Sequence, residues 1–370
     1  MTLPHIALLG GDGALSGVPR YIDHLARALD PVARISIVSD IDRGGYAFAA
    51  ARGVPHTQIE GLATSVRPLR ILRAAARLRR FIAEQKPDIV WANARMTQPL
   101  ARLVTPRDVT LVLTYHGVPC GPGHGALRSH ISWMQEQVAQ RLSRPQDLVF
   151  LTPRDSRAFG PVTARRHNVH VLPNCSDLGG FAPNDPPPDP QIVMLTRDAR
   201  QKNLDAAAAI MAHLPDVRLE LYGAGTDTQH LRDRFARALP PEALARIAFN
   251  GPVEDVRPAL RAADLLLSTS RYEGLSISML EAMEYGLPIA TTPVGGTNMM
   301  GATHPMMRLI DTSEPDSAAQ IITAMLGRFR ADRTAQQTAI HAAWEAQFSP
   351  PVWQAGALDL FGQITRRAGF

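Results

Sequence analysis

From its fifth residue the chain alternates short apolar runs with helical stretches, stops at a proline-rich break, and then begins the same alternation again. Residues 5–9, 34–38, 88–91, 110–114, 147–151 and 170–172 read as strands. Residues 18–29, 68–84 and 131–141 read as helices between them. Strands rich in Val, Ile and Leu and bounded by polar turns suit a parallel sheet covered on both faces. Five prolines then fall between Pro183 and Pro190. Such a run continues neither a helix nor a central strand. Beyond it, strands are expected at 191–195, 218–222, 247–249, 265–269 and 288–290, and helices at 204–213, 228–238, 256–261, 276–285 and 317–328. The tail from Ala335 reads as helical, with a break at Pro350-Pro351.

The fold expected is therefore α/β, with two doubly wound, Rossmann-like parallel-sheet domains facing a central cleft. Residues 1–182 form the N-terminal, acceptor-side domain and 183–190 the linker. Residues 191–345 form the C-terminal, ligand-binding domain, and 346–370 a helical segment packing back on the first. A length of 370 residues exceeds one ordinary core and agrees with two. In such folds ligands sit at the carboxyl ends of the strands.

Charge and cysteine content narrow the setting without naming a ligand. The net charge of +5 favours acidic partners in general. Two cysteines, Cys120 and Cys175, argue against a disulfide framework and for a reducing cytoplasm. The N-terminus lacks a basic leader, and no run reaches the roughly 20 apolar residues of a membrane span. A cytoplasmic protein is expected, at most peripheral at the inner face of a membrane.

The richest stretch runs from Ser268 to Met283. A strand ends near Thr269, a loop carries Glu273 and Gly274, and a helix begins near Ser276. Free N–H groups and the helix dipole make that start an anion site suited to phosphate. Gly274 lets backbone approach a ligand closely. Two carboxylates, Glu273 and Glu281, fit a phosphate site only if a polyhydroxyl ligand is attached, because carboxylates accept hydrogen bonds from hydroxyls.

In this context Ser270, Glu273, Gly274, Glu281, Ala282, Met283, Gly286 and Pro288 resemble the signature of the GT-B glycosyltransferases of the family 4 type. Further segments agree in order: Pro173-Asn174, Arg197 with Lys202-Asn203, Gly223-Ala224-Gly225, Phe249-Asn250-Gly251, Gly295-Gly296, and more sparsely Ser16-Gly17 and His116-Gly117. The likeness is tightest from Leu172 to Gly296.

The resemblance implies a retaining, hexosyltransferase-type enzyme. It would move a sugar from a nucleotide-diphosphate-sugar to an acceptor hydroxyl in glycan or polysaccharide biosynthesis, with no metal or other cofactor. Arg197 and Lys202 would contact the diphosphate, Glu281 the ribose and Glu273 the sugar hydroxyls. Gly274, Leu275 and Ser276 would offer backbone groups. His116 would face the reacting sugar, and Gly17 would approach the donor phosphate. The acceptor would be a glycan or a lipid-linked acceptor; nucleic acid is not expected. Departures are Ser16 in place of a first glycine, Thr196 before Arg197, and Gln201 where an acidic residue is common. A nucleotide-sugar epimerase on the same architecture and a catalytically degenerate binding protein are the alternatives.

Other patterns have plainer readings. His116, Cys120 and His124 recur every four residues, but nearby prolines and glycines rule out a shared helical face for a metal. Asp40-Ile41-Asp42 reads as a solvated loop. Arg67, Arg70, Arg73, Arg77 and Arg80 fall on one arc of a helix opposite Leu72, Ala75, Leu78 and Ile82, a solvent face or a contact with anionic membrane.

Overall fold

The strands of the computed structural model, which describes residues 3–14, 16–64, 67–118 and 123–369, form two sheets in which every pairing is parallel. By its contacts the chain divides into two units. One runs to Asn174 and resumes at Pro350; the other spans Cys175–Ser349 together with residues 123–125.

The first unit contains β1 (His5–Leu9), α1 (Gly17–Leu29), β2 (Arg34–Ser39), α2 (Ala47–Ala51), β3 (His56–Gln58), α3 (Pro68–Gln85) and β4 (Ile89–Ala92). It continues with α4 (Thr97–Val104), β5 (Thr110–Tyr115), α5 (Ala126–Leu142), β6 (Asp147–Phe150), α6 (Pro153–Ala158), α7 (Pro161–Arg166) and β7 (Asn168–Val171). Its sheet order is β3-β2-β1-β4-β5-β6-β7. Right-handed crossovers put α1 on one face and α3, α4 and α5 on the other. Strands β1, β4 and β6 are buried along their whole length, as their apolar runs require. Leu9, Leu78, Phe81, Leu113 and Phe150 join one core.

The second unit holds β8 (Gln191–Leu195), α8 (Leu204–Met211), β9 (Arg218–Tyr222), α9 (Gln229–Ala238), α10 (Pro241–Leu244), β10 (Ile247–Gly251), α11 (Arg257–Ala262) and β11 (Leu265–Ser268). It ends with α12 (Ile277–Glu284), β12 (Ile289–Thr291), α13 (Thr297–Gly301), β13 (Met307–Leu309), α14 (Pro315–Ala331) and α15 (Arg333–Phe348). Its sheet order is β10-β9-β8-β11-β12-β13. Met194, Leu219, Phe235, Leu267 and Ile322 belong to its core.

The proline run is part of the second unit, so the division lies upstream of it. Arg330 donates to the Pro187 carbonyl at 2.8 Å and Arg333 to the Asn184 carbonyl at 3.0 Å. Both guanidiniums also pair with Asp264, which is fully buried and accepts from the Gln191 N–H at 3.0 Å. A buried carboxylate has to be paired, and this pairing holds the run down.

The final helix, α16 (Pro350–Ala368), packs against α1 in the first unit. Trp353 donates to the Pro173 carbonyl at 2.6 Å and meets Tyr21 edge-on at 5.6 Å. Arg367 pairs with Asp147, which also holds His170 at 2.8 Å.

Three expectations need correction. Strands β3 and β13 were not foreseen; they are three-residue edge strands with largely exposed side chains and so carry no apolar run. Leu72 does not join the inner face of α3: it is 62% exposed, while Ala74, Leu78, Phe81 and Ile82 are buried. Asp40 is not solvated. It is buried, and its carboxylate accepts from the N–H groups of Ile41, Gly61, Ala63 and Thr64 and from the Thr64 hydroxyl. These bonds outweigh burial and hold its carboxyl below the usual range.

Candidate active site

In the second unit, β8 and β11 are neighbours, but the chain leaves them in opposite directions, β8 toward β9 and β11 toward β12. The carboxyl ends of two such strands border a topological switch point, where an open α/β sheet offers a crevice. Arg197 and Lys202 follow β8. The loop of Glu273 and Gly274 follows β11 and leads into α12.

The two segments meet. Lys202 Nζ lies 2.6 Å from Glu273 Oε1, with both side chains more than four-fifths buried. Ser270 Oγ donates to the same oxygen at 2.8 Å, and Gln201 Nε2 donates to Oε2 at 3.2 Å. Gln201 also donates to the Tyr272 carbonyl at 2.9 Å and accepts from Arg197 through Oε1 at 3.2 Å. Arg197, Gln201, Glu273 and Lys202 therefore form one hydrogen-bonded group. An ammonium carries three donors, so the contact with Glu273 leaves Lys202 donors for an anion. Arg197 is exposed and at the edge of the group.

Backbone geometry fixes this arrangement. Asn203 sits in the left-handed region at φ 52°, which Asn tolerates better than most residues. Its side chain accepts from Arg271 at 2.5 Å, and the Thr269 hydroxyl donates to the Lys202 carbonyl at 2.9 Å. On the far side, the Thr292 hydroxyl donates to the Ser270 carbonyl at 2.5 Å. A Cβ on Gly295 would stand 2.3 Å from the Glu273 carbonyl oxygen, and one on Gly296 would meet Leu275 at 2.5 Å. The glycine pair thus lets the loop after β12 close on the Glu273 loop. At Gly223, φ is +127° and a Cβ would stand 1.6 Å from the Thr196 carbonyl oxygen, so the turn after β9 packs directly against the backbone that precedes Arg197.

Helix α12 is buried on nearly every side, with Met279, Leu280, Ala282 and Met283 in the core. Gly274, Leu275 and Ser276 immediately precede it and are also buried. Ser276 is the N-cap but makes no side-chain cap; its hydroxyl instead meets that of Ser278 at 2.9 Å. Glu281 is 4% exposed. Its neighbour Glu284 has a structural task, accepting from the Leu178 and Gly179 N–H groups at 2.9 and 2.7 Å.

Gly17 and His116 belong to the first unit. Gly17 opens α1, which follows β1; His116 follows β5. Tyr21, one turn into α1, meets His116 edge-on at 4.8 Å. His116 keeps part of its surface open, but Nε2 is buried and has no hydrogen-bond partner among the described residues. Burial pushes its pKa down to about 4, against an opposing backbone hydrogen bond with Asn93. The ring is neutral at pH 7.

Gln201 and Ser270 are the residues sequence reading missed as partners of Glu273. The only signal at Gln201 was its departure from an acidic residue. Cys120 lies outside the described residues. Among those that are described, no three His, Cys, Asp or Glu side chains are grouped to hold a metal ion. No described helix is long and apolar enough to cross a membrane.

Comparison with known proteins places these features in a family. Residues 189–328 match the family of glycosyl transferases group 1, and residues 16–175 match the glycosyl transferase 4-like domain. A glycogen synthase of Mycobacterium tuberculosis is 25% identical over 318 residues, covering 76% of this chain and 75% of its own. A D-inositol 3-phosphate glycosyltransferase of Xylanimonas cellulosilytica is 29% identical over 252 residues, 62% of this chain and 57% of its own. Among solved structures, a sucrose-phosphate synthase from Thermosynechococcus elongatus superimposes with a TM-score of 0.78 at 18% identity, covering 98% of each chain. HepE of Anabaena, solved with UDP and glucose, gives 0.76 at 15% identity, covering 97% of this chain and all of its own.

Proposed function

Because the chain belongs to the group 1 glycosyl transferases of GT-B fold, we propose that it transfers a sugar from a nucleotide-diphosphate-sugar to an acceptor hydroxyl, with retention and without a metal. Family membership sets the epimerase reading aside. The observation that carries the proposal is the hydrogen-bonded group of Arg197, Gln201, Glu273 and Lys202 at the switch point, next to the start of α12.

On this reading the acceptor hydroxyl attacks the anomeric carbon as its bond to the diphosphate breaks. The leaving diphosphate gains negative charge. Arg197, Lys202 and the N–H groups at the start of α12 stabilise that charge, and being already in place they need little reorganisation. Glu273, anchored by Ser270 and Gln201, accepts from sugar hydroxyls, and Glu281 from the ribose. Gly274, Leu275 and Ser276 supply backbone groups. In the first unit, neutral His116 faces the reacting sugar, and Gly17 leaves backbone open to the donor phosphate.

HepE was solved with UDP and with UDP-glucose, which supports a nucleotide-sugar donor here. The acceptor on this reading is a glycan, free or lipid-linked, and transfer takes place on the cytoplasmic side. Contact of the α3 arginine face with anionic lipid belongs to the same reading; replacing Arg73, Arg77 and Arg80 with glutamine would then weaken binding to anionic vesicles.

Donor turnover with and without acceptor glycans, followed by NMR of the product anomer, tests the proposal. Acceptor-dependent transfer, retained configuration and full activity in EDTA are expected. Inverted product or loss of activity in EDTA would overturn the corresponding part.

A further inference from the structure

Residues 123–125 lie between β5 and α5 in sequence, yet by their contacts they belong to the second unit. There they dock on the loop that carries Glu273. The His124 ring lies 3.7 Å from that of Tyr272, centroid to centroid, with 26° between the two planes. Beside it, a Cβ on Gly123 would stand 2.1 Å from the Arg271 carbonyl oxygen. Gly123 has φ +91° and Gly125 φ +53°. Glycine therefore suits both flanks of His124, for the turn at each and for the close approach at Gly123. These turns set the imidazole on the Tyr272 ring.

Other neighbours hold the same loop by its backbone. Gln201 donates to the Tyr272 carbonyl at 2.9 Å, and Gly295 closes on the Glu273 carbonyl. Arg271 donates to Asn203 Oδ1, next to Lys202. Residues 123–125 add a contact of a different kind, because it bears on the Tyr272 side chain. Tyr272 immediately precedes Glu273, so a tilt of its ring moves the Glu273 carboxylate. Gly274, Leu275 and Ser276, which lead into α12, are buried in the unit and depend less on that ring. A disturbed stack thus acts first on what Glu273 binds.

We infer that His124 is a positioning residue of the transfer reaction: stacked on Tyr272, it sets the loop so that the Glu273 carboxylate meets the hydroxyls of the transferred sugar. This role rests on the donor reading proposed above.

Isothermal titration of the full chain with matched pairs (UDP-glucose and UDP, GDP-mannose and GDP, ADP-glucose and ADP) tests it. For the pair that the unaltered protein binds, His124→Ala should weaken the nucleotide sugar roughly three- to tenfold, the worth of one aromatic pair, and leave the bare nucleotide within about twofold. A merely structural role would weaken both alike. His124→Phe keeps a flat ring and should restore the affinity. Tyr272→Leu should reproduce the loss, with His124→Ala adding nothing to it; should His124→Ala fold poorly, Tyr272→Leu alone decides. Equal weakening of nucleotide sugar and nucleotide, unchanged binding in the folded variant, or additive losses would overturn the role of His124 and leave the donor reading standing. If the unaltered protein binds no nucleotide sugar, the donor reading falls and this role with it.

Discussion

Lys202 and Glu273, separated by 71 positions in sequence, meet at 2.6 Å between the ends of two adjacent strands. Each is held by others: Glu273 by Ser270 and Gln201, and the backbone of Lys202 by Thr269. If Lys202 stabilises a leaving diphosphate, Lys202→Ala removes a charged hydrogen bond worth about 1.5–3 kcal/mol in the transition state. That corresponds to roughly a tenfold to 150-fold fall in kcat/KM. Steady-state kinetics beside a melting curve checks it; activity should fall in the folded variant, and the melting temperature with it, because largely buried Glu273 loses its ion-pair partner.

Gly295→Ala tests the clamp on the Glu273 loop. The new Cβ would press on the Glu273 carbonyl oxygen at 2.3 Å. Forced overpacking costs about 1–3 kcal/mol. A lower melting temperature together with lost activity is expected, although no charged group has been touched.

His116 and His304 give the protein a sensitivity to acid. Burial lowers both pKa values to about 4, from the ordinary 6.5. His304 accepts from the Met306 N–H through Nδ1 at 3.0 Å, a bond that a doubly protonated ring cannot make. Between about pH 6.5 and 4 the unfolded histidines bind protons that the folded ones do not. Stability is therefore full above pH 6.5 and falls as pH drops toward 4. Urea unfolding at pH 7 and pH 5 should differ by roughly 1–2 kcal/mol per histidine, and His116→Asn should remove part of that difference.

Arg333→Ala would leave Asp264 buried with only Arg330 as its ion-pair partner. Breaking a buried pair from one side costs about 3–5 kcal/mol. Chemical denaturation should show a loss of that order. Limited proteolysis should cut sooner near Asn184, whose carbonyl Arg333 holds.

The two sheets were legible because their strands are buried and carry dense apolar runs, as in β1 and β8. Edge strands β3 and β13 lacked that signal. Arg197, Lys202, Glu273 and Glu281 could be singled out from motif spacing, and the first three meet in one hydrogen-bonded group. Their anchors could not, since Gln201 and Ser270 reach Glu273 only once β8 and β11 lie side by side. Asp40 looked solvated because three of the four backbone N–H groups that satisfy it come from residues more than twenty positions away. Helix α5 begins at Ala126 rather than at Ile131.

The central claim is that Arg197, Lys202 and the start of α12 grip a nucleotide diphosphate. Thermal unfolding with UDP-, GDP-, ADP- and CMP-sugars tests it most directly, because a ligand at a hundred times its Kd stabilises by about 2.7 kcal/mol. At least one diphosphate-linked sugar should raise the melting temperature of the unaltered protein and do so far less in Lys202→Ala. No shift with any of them, or an equal shift in the variant, would contradict the claim.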